Sequence, residues 1–126
     1  MTMDQIDKDQ IYNTAWKHWG ADTQLDMLIE EMAELTQALL KARRNGVTFT
    51  HGVAEEIADV CICIEQVKTR MKRLPYDVLE HGVKKNMWDD QVMVIKEQKL
   101  ERLKAVLFES LSKKYPDVGD PLGSGR

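Results

Sequence analysis

The chain has 126 residues and a mass of 14.5 kDa, and 18 basic against 21 acidic residues give a formal net charge of −3. This length suits one domain with one hydrophobic core, and the missing basic excess argues against DNA or RNA as the main partner. No apolar stretch approaches the roughly 20 residues that span a bilayer, so no membrane association is expected.

Residues 1–115 are expected to form the domain. Residues 116–126 carry two prolines and three glycines, which indicates a flexible tail or a cloning scar. Cys61 and Cys63 fall in a segment of helical character, where their side chains point about 160° apart, so we expect free, mostly buried thiols in a reducing cytoplasm. Because no export signal is recognisable at the N-terminus, the expected location is the cytoplasm of a bacterial or phage-infected cell.

Helix-forming residues dominate the chain, and no proline occurs before residue 75. A first helix is predicted over about 4–18, with Gly20 as its C-cap. A second is predicted to start after Asp22 or Thr23, as side-chain caps, and to run to about residue 44, where Asn45-Gly46 stops it. Its apolar residues repeat at spacings of three and four and predict a buried stripe of Leu25, Leu28, Met32, Leu35 and Leu39.

A third helix is predicted from about Thr50 to Arg73, where Pro75 interrupts it, and a short helix is expected from Tyr76. Its predicted buried face comprises Val53, Ile57, Val60, Ile64, Val67 and Met71. A last amphipathic helix is predicted over about 89–113. No segment shows the alternation of apolar and polar residues that predicts a strand. The expected fold is an all-α helical bundle with a hairpin of the second and third helices at its centre.

Two acidic pairs occur where apolar residues are expected. Glu31 and Glu34 lie three apart on a shoulder of the second helix, and Glu56 falls inside the apolar face of the third with Asp59 beside it. No Lys or Arg occurs in the flanking segments 24–40 and 50–67 that could neutralise them. Because clustered buried carboxylates are unfavourable without a cation, these residues predict a site for Mg²⁺, or less often Mn²⁺.

The pattern Glu31-Met-Ala-Glu34, a gap of 21 residues, then Glu56-Ile-Ala-Asp59 resembles the ExxE…ExxD signature of the MazG-type, all-α nucleotide pyrophosphohydrolases. The surrounding LIEEMAELTQALLKARR and AEEIADVCICIEQV are also similar to that family. The resemblance covers about residues 16–71. It implies that the four acids bind Mg²⁺ in an enzyme that hydrolyses a nucleoside triphosphate, expected to be a dNTP, to the monophosphate and pyrophosphate. The implied role is nucleotide pool sanitation or biasing.

Other candidates have two interpretations each. Glu31 is expected to act in catalysis, and Glu30 can orient or deprotonate the attacking water or be a plain surface acid. Lys41, at the end of the second helix with Arg43 and Arg44, can bind phosphate or complement the helix dipole. Lys99 and Arg102 can bind phosphate or form a solvated face. Trp16 and Trp19 can stack on a base or pack in the core.

The central hairpin cannot cover so much apolar surface alone, so a homodimer or homotetramer is expected, as in the resembled family. The alternative enzyme is a phosphoribosyl-ATP pyrophosphohydrolase, and the alternative of another class is a non-catalytic helical interaction protein. A di-iron carboxylate protein is disfavoured, because no histidine lies three residues after a glutamate.

Overall fold

The computed structural model describes residues 2–72, 87–117 and 119. Within them the chain is all-helical, without strands, which confirms the predicted fold class. The helices are α1 (Gln5–Trp19), α2 (Ala21–Arg44), α3 (His51–Lys72) and α4 (Met87–Lys114). None of them is both long and apolar enough to cross a membrane.

The chain divides into two compact units, Met1–Trp88 and Asp89–Arg126. The first contains α1, α2 and α3, which pack against one another, and the second consists of nearly all of α4. The predicted break at Pro75, the short helix from Tyr76 and most of the predicted tail at 116–126 lie outside the described residues.

Gly20 joins α1 to α2. Its φ of 86° and its N–H bond to the Trp16 carbonyl oxygen, at 2.9 Å, close α1 as predicted. Gly20 is also the N-cap of α2, so the prediction that Asp22 or Thr23 caps this helix was wrong. Because one residue at positive φ turns the chain, α2 begins at once and both candidate caps already lie inside its first turn.

The end of α2 is a Schellman motif at the predicted stop. Gly46 adopts a φ of 70°, and its N–H donates to the Arg43 carbonyl at 3.0 Å. The Val47 N–H reaches back to the Ala42 carbonyl at 2.9 Å, and Asn45 is the C-cap. These bonds satisfy carbonyls that the helix end would otherwise leave free.

The α3 helix starts where the sequence predicted. Thr50 Oγ1 accepts a hydrogen bond from the Val53 N–H at 3.1 Å, as an N-cap does. Because only residues 45–50 separate α2 from α3, the two helices form a hairpin with the most extensive packing in the first unit.

Two side-chain contacts attach α1 to α3. The Tyr12 hydroxyl donates a hydrogen bond to Glu65, and the Arg70 guanidinium lies 6.0 Å from the centre of the Trp16 ring. The second distance is in the range of a cation–π contact. Both contacts hold one face of α1 against α3.

The inward face of α2 differs from the predicted stripe. The buried and half-buried positions are Gln24, Leu28, Glu31, Leu35, Ala38 and Ala42. By contrast, a second set of residues on α2 is apolar and lies about 100° around the helix axis from the inward face. Their side chains are between 41 and 61% exposed. We call this second set the apolar stripe of α2: Leu25, Ile29, Met32, Leu39 and Leu40. The first unit therefore covers one face of α2 and leaves its more apolar face open.

The predicted face of α3 is correct in part. Val53 is buried, and Val60, Val67 and Met71 are half-buried, but Ile57 and Ile64 are exposed. Both cysteines are free, as expected. Only Cys63 is buried, so the prediction of burial was wrong for Cys61, which lies on the opposite side of the helix.

Candidate metal centre

The α2–α3 hairpin brings three acidic side chains together. Glu31 from α2 and Glu56 and Asp59 from α3 each offer one carboxylate oxygen, and these oxygens all lie within 4.8 Å of one another. Glu31 belongs to the inward face of α2, and the spacing of three between the other two places them on adjacent turns of α3. We call these three residues the acidic cluster.

Two oxygens of the cluster are cut off from water. Glu31 and Glu56 are half-buried, and the Oε2 atom of each is buried without a hydrogen-bond partner among the described residues. Asp59 is exposed. A buried acceptor that lacks a donor costs its full desolvation free energy, so a bound cation, or a proton shared with Glu34, would stabilise both carboxyl groups.

The same environment raises the pKa of both glutamates. For Glu31, desolvation is the largest cause, followed by the negative charges of Glu34, Asp59 and Glu56. For Glu56, desolvation is again first, followed by Glu34 and Asp59. Uncompensated negative charge thus accumulates at this point of the hairpin, and a bound cation would reverse both effects.

Glu34, the fourth predicted ligand, is exposed and lies outside the three-residue cluster. Its charge is nevertheless the strongest Coulombic influence on the pKa of both Glu31 and Glu56. It therefore stands at the edge of the cluster, close to both buried carboxylates. The buried thiol of Cys63 also has a raised pKa, first through desolvation and then through the charges of Glu31 and Asp59.

The donor set fits a hard divalent cation. All three clustered ligand atoms are carboxylate oxygens, and no histidine or cysteine of the described residues joins them. Oxygen donors suit Mg²⁺ and Mn²⁺, whereas thiolate and imidazole donors favour softer ions. The unpartnered Oε2 atoms of Glu31 and Glu56 are the observation that makes this fit specific, because exposed acids alone are common on protein surfaces.

A groove of about 600 Å³ adjoins the acidic residues. We call it the α2–α3 groove; its lining consists of Glu34, Gln37, Ala38, Leu40, Lys41, Arg44 and Glu56. The sequence predicts Lys41 as a substrate-binding residue, predicts no role for Gln37, and favours the helix dipole as the reason for Arg44. Gln37, Lys41 and Arg44 follow Glu34 by three, seven and ten residues, which places all of them on one face of the helix. This spacing is the sequence signal that could have identified the three residues.

The remaining candidates on α1 and α2 lie elsewhere. Glu30 is exposed and outside the acidic cluster. Trp16 is half-buried beneath Arg70, so it packs α1 on α3. Trp19 is exposed and makes an edge-on contact with the His18 ring, with 5.1 Å between the ring centres.

The candidates on α4 belong to the second unit. Lys99 lies beside Ile95 and Leu103 in a shallow groove of about 470 Å³ on α4, and Arg102 is exposed. The surroundings of Lys99 within this unit are mainly apolar.

No family model, curated protein or solved structure matches this chain.

Proposed function

We propose that this protein is a Mg²⁺-dependent nucleoside triphosphate pyrophosphohydrolase that releases a nucleoside monophosphate and pyrophosphate. The observation that carries the proposal is the acidic cluster, in which Glu31 and Glu56 each keep a buried oxygen without a partner. The resemblance of the two acidic pairs to the ExxE…ExxD signature supports the reaction and favours a dNTP as substrate. Such an activity would sanitise or bias a nucleotide pool.

The four acids would divide the work by position. Glu31, Glu56 and Asp59 would hold the metal, with Glu34 as a further ligand at the edge of the cluster. When bound, Mg²⁺, or Mn²⁺ in its place, neutralises phosphate charge and lowers the pKa of water. The partial desolvation of Glu31 and Glu56 would strengthen their attraction for a cation.

The reaction forms one bond and breaks one. The oxygen of a water molecule bonds to the α-phosphorus, and the bond from this phosphorus to the α–β bridging oxygen breaks. Pyrophosphate leaves with the bridging oxygen, and the water gives up a proton. Glu30, next to Glu31 in the chain and exposed to solvent, is our candidate to orient that water or accept its proton.

The test measures pyrophosphate release from each common ribo- and deoxyribonucleoside triphosphate with Mg²⁺. Glu31→Ala and Glu56→Gln should each lower kcat/KM by a factor of about 10² or more. The matched control is Glu55→Ala, which removes a neighbouring acid on α3 that is exposed and paired with His51 at 2.9 Å. Release that survives both cluster substitutions, or falls equally in the control, would contradict the proposal.

The non-catalytic alternative makes a different prediction about metal. Acids that only form surface salt bridges with a partner gain nothing from burial, whereas Glu31 and Glu56 are half-buried with unpartnered oxygens. We therefore expect the wild type to bind Mn²⁺, as seen by electron paramagnetic resonance, and Glu56→Gln to lose this binding. A wild type that binds no divalent metal would favour the interaction protein. Metal binding without activity on common nucleotides would favour phosphoribosyl-ATP as the substrate.

We further propose that the active form is a homodimer or homotetramer. The five residues of the apolar stripe of α2 lie on one face and are all exposed in the first unit. An apolar surface of this kind marks a protein interface, and a second copy of α2 offers a complementary face because an isologous contact uses the same patch twice.

A further inference from the structure

The α2–α3 groove combines charges of opposite sign along one face of a helix. Glu34, Gln37, Lys41 and Arg44 of α2 line one wall, and Glu56 of α3 lies opposite. Helical rise places Lys41 about 10 Å and Arg44 about 15 Å beyond Glu34 along the axis. The groove therefore starts at carboxylates that require a cation and ends at two side chains that offer positive charge.

Within the part of the chain that the structure describes, both cations are available to a ligand. Lys41 and Arg44 are exposed, and neither forms an ion pair or side-chain hydrogen bond with the residues that the structure describes. Among these residues, no aromatic side chain lines the groove that could stack on a nucleobase. Its chemistry therefore suits phosphate better than a base.

The helix dipole does not account for this arrangement. It favours cations throughout the last turn of α2 and acts on Arg43 as much as on Lys41 and Arg44. Arg43 is also exposed, but it does not line the groove. Among the cations that the structure describes, only the two on the side of Glu34 line the groove next to the acidic cluster.

We propose that the α2–α3 groove binds the β- and γ-phosphates of the substrate, with Lys41 and Arg44 holding the pyrophosphate that leaves. The inference rests on the proposed function, which puts the α-phosphate at the carboxylates. Arg44 can hold two phosphate oxygens through its planar guanidinium, and Lys41 acts as a point charge. A nucleoside diphosphate lacks the γ-phosphate that reaches these side chains, so the groove selects triphosphates.

The test uses the full chain and inorganic pyrophosphate as the probe, with binding measured by calorimetry in the presence of Mg²⁺. Lys41→Ala and Arg44→Ala should each weaken pyrophosphate binding by about tenfold, because each removes a charge-assisted contact. Arg43→Ala, which removes the same charge one residue away, should leave it unchanged. Mn²⁺ binding without phosphate should be equal in all four proteins. In steady-state assays, Lys41→Ala and Arg44→Ala should also lower the ratio of kcat/KM for a triphosphate over its diphosphate.

Two results would overturn the inference while the proposed function stands. In the first, pyrophosphate release and Mn²⁺ binding are present, but Lys41→Ala and Arg44→Ala behave like Arg43→Ala. In the second, Lys41→Ala and Arg44→Ala weaken binding of the nucleoside monophosphate but not of pyrophosphate. The groove would then bind the nucleoside part of the substrate. A wild type that neither binds Mn²⁺ nor releases pyrophosphate would refute the proposed function and this inference with it.

Discussion

Glu56 is half-buried, has an unpartnered oxygen and lies near three other acids. The stability of the metal-free protein therefore depends on pH. The pKa of Glu56 is raised in the folded state, so the folded protein binds its proton more tightly than the unfolded chain does. Protonation of Glu56 therefore stabilises the folded state. This stabilisation is fully present at pH values below the pKa of Glu56 in the unfolded chain, and it is lost as the pH rises through the pKa of Glu56 in the folded protein. The same sign holds for Glu31.

In EDTA, therefore, Glu56→Gln should gain stability over the wild type as the pH rises above about 4.3, the ordinary pKa of a glutamate. Urea unfolding of both proteins across this range measures the difference. Glu101→Gln, which removes an exposed acid of the second unit, should show no such trend. Saturating Mg²⁺ should reverse the order, since the wild type alone keeps the full ligand set. A difference between Glu56→Gln and wild type that stays constant with pH would contradict the assigned environment.

Tyr12 is the other titrating residue with an unusual environment. Desolvation, first, and then its hydrogen bond to Glu65 raise its pKa to about 12. The folded state thus holds the phenol proton more tightly, and the stability it contributes is lost as pH rises from about 10 to about 12. Tyr12→Phe should remove a step near pH 12 from the tyrosine absorbance titration and lower the free energy of unfolding by about 1 kcal/mol. Tyr115→Phe, at an exposed position, should leave the free energy of unfolding unchanged.

At the scale of elements, helix ends were the most predictable feature because their causes are local. Asn45-Gly46 ends α2 and Thr50 begins α3, each through hydrogen bonds to groups only a few residues away in the chain. Both boundaries are at the predicted positions. The start of α2 was mispredicted because Gly20 serves two helices at once, which a search for polar caps does not consider.

The turn between α2 and α3 determines which residues of the two helices face each other, including the acidic ones. The contribution of Gly46 to this turn can be tested directly. Gly46 has a φ of 70°, where a side chain is strained even though its Cβ would meet no atom within 4 Å. Gly46→Ala should therefore lower the free energy of unfolding by about 1 kcal/mol. Gly52→Ala is the matched control, because Gly52 is helical and its Cβ would make an ordinary contact of 3.7 Å with Thr50 Oγ1. Thermal unfolding of both variants should show the loss only for Gly46→Ala.

The sequence also predicted part of the candidate site. Glu31, Glu56 and Asp59, which the structure brings together, were identifiable because acids inside an apolar pattern conflict with the cost of burying charge, whereas Glu34 is exposed at the edge of the cluster. The α2–α3 groove was not predicted, because Glu56 reaches it from a second helix and the packing angle of the hairpin decides which cations share its space. Local spacing could identify one wall of the groove but not the cavity.

On the scale of the whole molecule, the most apolar face of α2 is not the face that α3 covers. Apolar periodicity reports that a face is to be buried, but it does not say whether the same chain or another copy buries it. Leu25, Met32 and Leu39 of the predicted stripe are accordingly exposed within the first unit. The same residues are the basis on which we propose a homo-oligomer.

This proposal yields a prediction for Ile29, which is 61% exposed in the middle of the apolar stripe of α2. If the stripe is the interface, Ile29→Glu buries an unpaired charge there and should raise the dissociation constant of the oligomer by at least about tenfold. Thr23→Glu adds the same charge at an exposed position on the opposite side of α2 and should leave assembly intact. Sedimentation velocity over a concentration series distinguishes the species. A monomeric wild type, or equal assembly of both variants, would exclude the stripe as the interface, and a partner of different chemistry would then have to cover it.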